Sequence, residues 1–288
     1  MIHPIKNILW ATDFSAESKE ALAYAHAFAK TFKAKLTALH VVPDFAPVLY
    51  EMWPEAEAEL TGKIANAKIQ AQAQIENLCA TQNVCPAKVV VGQGSAAKVI
   101  LKTAVKESAD LIVVGRKGVS GQEQNLIGSV THQILRGARV PVLVTKGTDA
   151  KVEPIEKILV PTDFSAAEDL ERNYAWKLAK LFGAGLTFLY VLELFGHDFR
   201  LSDEMFDQAL KKLQARKKRE HKDVAIDEQV TKAVHGFEGI IDVADSKGYD
   251  LIVMSTTVRK LARFLLGSTT EKVIAHSRVP VFAIPREK

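Results

Sequence analysis

Residues 8–16 read Ile8-Leu9-Trp10-Ala11-Thr12-Asp13-Phe14-Ser15-Ala16, and residues 158–166 read Ile158-Leu159-Val160-Pro161-Thr162-Asp163-Phe164-Ser165-Ala166. Each is an apolar run closing on the same polar turn, Thr-Asp-Phe-Ser. Extended outward at the same offset, residues 5–42 match their counterparts at 18 of 38 positions without a gap. Farther on, Ala109-Asp110-Leu111-Ile112-Val113-Val114 answers to Tyr249-Asp250-Leu251-Ile252-Val253-Met254, and Arg139-Val140-Pro141-Val142-Leu143-Val144 to Arg278-Val279-Pro280-Val281-Phe282-Ala283. A unit of about 140 residues is therefore duplicated, a usual domain size. The polar stretch Lys146-Gly147-Thr148-Asp149-Ala150-Lys151 reads as the linker, giving expected domains at 1–146 and 155–288.

Within each unit, short apolar runs alternate with amphipathic segments. In the first half the expected strands are 5–11, 35–42, 87–92, 110–115 and 140–145, with helical patterns at 16–33, 54–82, 95–107 and 129–137. The runs are rich in Val, Ile and Leu with little alternation, as strands covered on both faces are. Ser15 and Ser95 suit N-caps and Pro54 suits a first helical turn. The second half repeats the order, with strands near 155–161, 185–192, 224–232, 250–255 and 279–284. This predicts two tandem α/β domains, each a doubly wound parallel sheet of five strands with helices on both faces.

Composition narrows the function. The 288 residues are 48% hydrophobic and 25% charged, with a formal net charge of +4. These proportions exclude a disordered, collagenous or disulfide-scaffold chain. Basic residues number 16 against 13 acidic ones in 1–150, and 22 against 21 in 151–288. Neither half has the one-sided basic excess of a nucleic-acid binder. Cys79 and Cys85 are the only cysteines and stand in no zinc or redox spacing, so reduced thiols in a cytoplasmic setting are expected. Residues 1–7 carry no leader pattern, and no apolar run approaches the ~20 residues of a membrane span.

In an open parallel sheet the ligand lies beyond the carboxyl ends of the strands, where strand order reverses. After the first strand comes Asp13, able to accept hydrogen bonds from a base or ribose. After the fourth come Gly115 and Gly118, which permit close backbone approach and positive φ. Nine residues later Gly128-Ser129-Val130-Thr131 opens a helix whose N–H groups and dipole favour an anion, with the Ser129 and Thr131 hydroxyls as added donors. Each feature has a plainer reading: glycines after strands make turns, serine at a helix start is a cap, and Asp13 is a common turn residue. No Walker loop is present, since Gly92-Gln93-Gly94-Ser95 lacks the lysine. No dinucleotide G-x-G-x-x-G, hydrolase G-x-S-x-G or histidine metal spacing occurs either.

These residues resemble the universal stress protein family in its tandem form. The match rests on Asp13, on Gly115-x-x-Gly118, nine residues, then Gly128-Ser129, and on the closing strand 139–144. The resemblance implies strand order 3-2-1-4-5 and bound ATP, with Mg2+ or Mn2+ as an accompanying ion. By it, Ala11, Thr12, Asp13 and the backbone around Val41 would hold adenosine, and Gly115, Gly118, Gly128, Ser129, Val130 and Thr131 would line ribose and phosphates. It also implies pairing of the fifth strands, either within the chain as a pseudo-dimer or between two chains. The expected role is a stress-response protein whose nucleotide is a regulatory ligand; the alternatives are a slow ATPase or self-phosphorylating enzyme, and a scaffold or carrier with another ligand in the second half. No general base stands in the glycine loop.

The second half keeps Asp163, Gly267 and Ser268, whereas Met254 is expected in place of Gly115 and Thr257 in place of Gly118. Arg259, Lys260 and Arg263 add charge there. The second half is therefore expected to bind no ATP in this manner. The basic cluster Lys211–Arg219 is expected to be a solvated helix face.

Overall fold

The computed structural model describes residues 4–44, 57–119, 126–146, 154–164, 168–194, 199–215, 223–256 and 266–285. They form two compact units, one built from His3–Gln122 with Gly128–Gly147 and the other from Thr148–Lys288.

The first unit runs β1 (Asn7–Thr12), α1 (Ala16–Phe32), β2 (Lys35–Val42), α2 (Glu57–Thr81), β3 (Lys88–Gln93), α3 (Ala96–Lys106), β4 (Leu111–Gly115), α4 (Ser129–Gly137) and β5 (Val142–Thr145). Its strands lie in the order β3-β2-β1-β4-β5, all parallel. The second runs β6 (Lys157–Pro161), α5 (Glu168–Phe182), β7 (Gly185–Glu193), α6 (Phe199–Ala215), β8 (Ile226–Ala233), α7 (Gly236–Ser246), β9 (Leu251–Ser255), α8 (Ser268–His276) and β10 (Val281–Ile284). Its order is β8-β7-β6-β9-β10, the same arrangement. The doubly wound α/β fold expected from the alternation is borne out in both units.

The central strand explains why the apolar runs do not alternate. Ile8, Leu9 and Trp10 are all buried to 1% exposure or less, because helices cover both faces of β1. Trp10 spends its indole N–H on Ser18 O at 2.9 Å, which ties β1 to α1 within the core. Ser15 caps α1, its hydroxyl oxygen accepting from Ser18 N at 3.2 Å. Ser95 holds the corresponding position before α3 but makes no side-chain cap bond. Pro54 lies outside the described residues. The helix α1 ends where Lys33 adopts φ 53° and returns its N–H to the last turn.

The repeated aspartate ahead of the fourth strand is a structural anchor. Asp110 Oδ2 accepts from Lys6 N and Asn7 N at 2.7 and 2.9 Å, and Asp250 Oδ2 accepts from Glu156 N and Lys157 N at 2.9 and 2.8 Å. Both grip the start of the central strand, at the opposite end from the expected site. Cys79 and Cys85 are free thiols, the first buried and the second exposed; burial pushes the Cys79 thiol up.

Lys212 on α6 lies over the Phe164 ring at 4.3 Å, so this member of the basic cluster packs on an aromatic face. The cluster beyond residue 215 lies outside the described residues.

Candidate functional site

Strand order reverses between β1 and β4, so the chain leaving β1 and the chain leaving β4 part in opposite directions above the sheet. The turn after β1 is built around an unusual residue. Phe14 adopts φ 64°, a conformation that a bulky side chain enters at a cost. Three contacts offset that cost. The Thr12 hydroxyl oxygen accepts Phe14 N at 3.0 Å and meets the Ser18 hydroxyl at 2.9 Å, while the Phe14 ring packs on His40 with centroids 4.6 Å apart. The second unit repeats the device: Phe164 has φ 58°, its N–H donates to Thr162 Oγ1 at 3.1 Å, and its ring stacks on Tyr190 at 4.6 Å. Much of the Thr-Asp-Phe-Ser repeat is thus turn architecture.

That turn presents Asp13 to the loop after β4. Asp13 Oδ1 accepts from Ser15 N at 3.1 Å, and Oδ2 accepts from Val119 N at 2.9 Å. Burial pushes the carboxyl up, but the hydrogen bonds from Ser15 and from the Val119 N–H outweigh it and hold it below the ordinary aspartate range. A depressed carboxyl stabilises the fold above its unfolded value, and that stabilisation is lost as pH falls through the lower folded value. In urea unfolding followed across the acid range, wild type is expected to lose stability below about pH 4 more steeply than Asp13→Asn. Parallel acid limbs in the two proteins would remove Asp13 from the account.

The glycines have neighbours that the sequence does not announce. A Cβ on Gly118 would overlap Asp13 Oδ2. A Cβ on Gly115 would come within 2.8 Å of Glu17 C and 2.9 Å of Ser18 N, so this glycine lets the α1 backbone settle on β4. A Cβ on Gly128 would stand 3.2 Å from Arg116 O and 3.3 Å from Lys117 Cα. Neither Gly115 nor Gly118 has positive φ, contrary to expectation; among the described glycines that conformation belongs to Gly94, Gly183 and Gly248. Close packing, not left-handed backbone, is what requires glycine at 115 and 118.

Two further residues, passed over in the sequence, fix this loop. Glu17 Oε2 accepts from Lys117 N at 2.5 Å, and Glu17 Oε1 meets Arg116 Nη2 at 3.5 Å. Arg116 is 5% exposed, so its guanidinium lies under the loop and not in solvent. A glutamate in the first turn of a helix reads as a dipole partner, which hid its second task.

The loop returns to α4, whose N-cap is Gly128 with no side-chain cap bond. Gly128 N donates to Arg116 O at 2.9 Å, which sets the helix start against the loop. Ser129 and Val130 are exposed in the first turn. Thr131 is buried, and its hydroxyl donates to Gly115 O at 2.8 Å. That hydroxyl proton therefore braces helix to strand and is not offered to a phosphate, a correction to the sequence reading. Ala11 and Thr12 are buried in the last two positions of β1. Val41 lies on neighbouring β2, in register with Gly92. The structure thus brings Asp13, Gly118, Gly128 and the start of α4 together.

The hydrogen bonds also correct the alignment of the second unit. Thr270 Oγ1 donates to Ser255 O as Thr131 does to Gly115 O, and Gly267 N donates to Thr256 O as Gly128 N does to Arg116 O. Ser255, not Met254, therefore stands in place of Gly115, and Thr256 in place of Arg116. A carboxylate from one helical turn later, the buried Glu171, accepts from Ser255 N at 2.9 Å. Asp163 is exposed, whereas Asp13 is half-buried. Thr257, Arg259, Lys260 and Arg263 lie outside the described residues, as does the counterpart of Gly118. Among the described residues no group of three or more metal-ligating side chains occurs, and no helix is long and apolar enough to cross a membrane.

Two doubly wound α/β units in tandem, the first carrying a glycine-cradled helix start opposite a strand-end aspartate, define a class of protein. The chain belongs to the universal stress protein family, whose model matches residues 4–146 and again 154–285. A universal stress protein of Mycolicibacterium smegmatis is 24% identical over 291 residues, covering 96% of each chain. One from Methanocaldococcus jannaschii is 33% identical over 141 residues, covering 49% of this chain and 82% of its own. Among solved structures, a universal stress protein from Archaeoglobus fulgidus superposes with a TM-score of 0.65 at 24% identity, covering 98% of both chains.

Proposed function

We propose that the first unit holds an adenine nucleotide, ATP, as a regulatory ligand, and that the second unit does not hold one in the same way. The observation that carries this reading is the approach of Gly118 to Asp13, where a Cβ would overlap the carboxylate, together with the tight approach of Gly128 to the 116–118 loop, 3.2 Å from Arg116 O. Such a cradle leaves backbone lining a helix start whose first N–H groups lack intrahelical partners and whose N-cap offers no side chain in their stead.

In this reading the N–H groups of Ser129, Val130 and Thr131 receive the phosphates, with the Ser129 hydroxyl beside them. Asp13 and the backbone at Val41 take the adenosine, Asp13 as an acceptor held ionised by its own hydrogen bonds. A divalent ion, Mg2+ or Mn2+, would draw most of its ligands from phosphate and water, since no cluster of metal-ligating side chains is present among the described residues. At the place of the first glycine the second unit has Ser255, whose N–H is taken by the buried Glu171.

The chain purified without added nucleotide is expected to release ATP on denaturation, identified by mass spectrometry. No released nucleotide, together with no binding of added ATP, would contradict the reading. Retention of that ATP without timed phosphate release supports a ligand; steady release would favour a slow ATPase.

A further inference from the structure

We infer that Glu17 is the positioning residue that keeps the 116–119 loop in its nucleotide-receiving shape, and that its pairing with Arg116 distinguishes the binding unit from its copy. The inference rests on the nucleotide reading above and adds a residue that lies outside the glycine pattern.

The loop after β4 is held at two successive odd positions by two carboxylates. Glu17 takes Lys117 N at 2.5 Å and Asp13 takes Val119 N at 2.9 Å. These charge-assisted bonds are the strong kind, and they fix the direction of the peptide units on either side of Gly118. The loop then has one place to stand relative to α4, because Gly128 N is bound to Arg116 O. Glu17 also contributes its main chain: its carbonyl accepts from the fully buried Thr145 hydroxyl at 3.5 Å, which ties α1 to β5. Ser15 Oγ reaches Lys117 O at 3.4 Å from the same helix start. The first turn of α1 is thus the mould for the loop, and Glu17 is its charged contact.

A consequence follows for the ligand. The N–H groups at 117 and 119 are already engaged by carboxylates, so these two are not phosphate donors. The first turn of α4 supplies donors to an anion, and the loop sets the wall opposite them.

The second unit supplies the contrast. At the repeat position of Glu17 the sequence has Ala167, and at that of Arg116 it has Thr256. Both members of the pair are missing together, and a carboxylate one helical turn later, Glu171, reaches a different atom, Ser255 N. A buried guanidinium without its carboxylate is costly, so the two residues are expected to be kept or lost as a pair.

The test compares ATP affinity by calorimetry in wild type, Glu17→Ala and Glu17→Gln, with the Lys117 amide proton followed by NMR. Glu17→Ala is expected to bind about tenfold more weakly, the loss of one charged hydrogen bond, and to move the Lys117 amide proton upfield. Glu17→Gln keeps an acceptor oxygen and is expected to recover most of the affinity and most of the downfield shift. A Glu17→Ala chain that binds ATP as tightly as wild type overturns the inference while leaving the nucleotide reading intact. So does a lower thermal midpoint with affinity unchanged. A wild-type chain that binds no ATP overturns both.

Discussion

Replacing Gly118 by valine is expected to weaken ATP binding by up to about a hundredfold, from an overpacking cost of about 1–3 kcal/mol delivered at the site itself. The reason is geometric. The new Cβ would occupy the position of Asp13 Oδ2, and neither partner has room to yield. Asp13 is held from one side by Ser15 N and from the other by Val119 N, the residue next to the substitution. Moving the loop outward breaks the Val119 bond and drags Lys117 N from Glu17. Moving Asp13 inward drives it against the turn that Thr12 and Phe14 hold. Either way the aspartate and the wall opposite α4 are displaced together. Calorimetric titration with ATP measures the effect, and circular dichroism confirms that the fold persists. Binding within threefold of wild type would mean that the Gly118 approach to Asp13 is incidental to the ligand.

The largest effect on stability is expected at Trp10. Its side chain is wholly buried in the central strand, and its indole N–H satisfies Ser18 O inside the core. Trp10→Ala opens a cavity and removes that hydrogen bond between β1 and α1, a loss of about 3–5 kcal/mol for the truncation alone. With urea slopes of about 1–3 kcal/mol per molar for domains of this size, the first unit is expected to unfold some 2 M earlier. The helix whose first turn moulds the site leans on this contact, so ATP affinity is expected to fall as well. Urea unfolding by circular dichroism, with and without ATP, checks both. A midpoint shift under about 0.5 M would show that Trp10 is not the tie between β1 and α1.

The fold was legible because the signals for it are local. Uninterrupted apolar runs report strands covered on both faces, Ser15 reports a helix start, and the repeat reports two units of one design. The site was legible only in outline. Asp13, Gly118 and Gly128 do converge, since strand ends in a doubly wound sheet leave the chain little choice of place. Their reasons were not legible. Gly115 reads as a ligand glycine, and the structure adds that it admits the α1 backbone; the Thr131 hydroxyl reads as a phosphate donor, and the structure has it bracing β4. Both contacts join residues far apart in the chain, and no pattern within a window reports them. Glu17 was hidden for the opposite reason, because its local role in a first helical turn already accounts for it. The one-residue slip between Met254 and Ser255 comes from counting back from Gly267 across a stretch one residue shorter; the offset that pairs Asp110 with Asp250 already places Ser255 at Gly115, and the Thr270 and Gly267 hydrogen bonds agree with it.

The two units share strand order, the Thr-Asp-Phe-Ser turn and the aspartate that grips the central strand. They differ at the end of the fourth strand, Gly115 and Arg116 in the first and Ser255 and Thr256 in the second, and at the sequence position of Glu17, which is Ala167 in the second.

The most direct measurement is the number of ATP molecules bound per chain, by calorimetric titration of nucleotide-free protein. One site per chain, weakened by up to about a hundredfold in Gly118→Val, is the expected result. Two equivalent sites, or none, would contradict the assignment of nucleotide to the first unit alone.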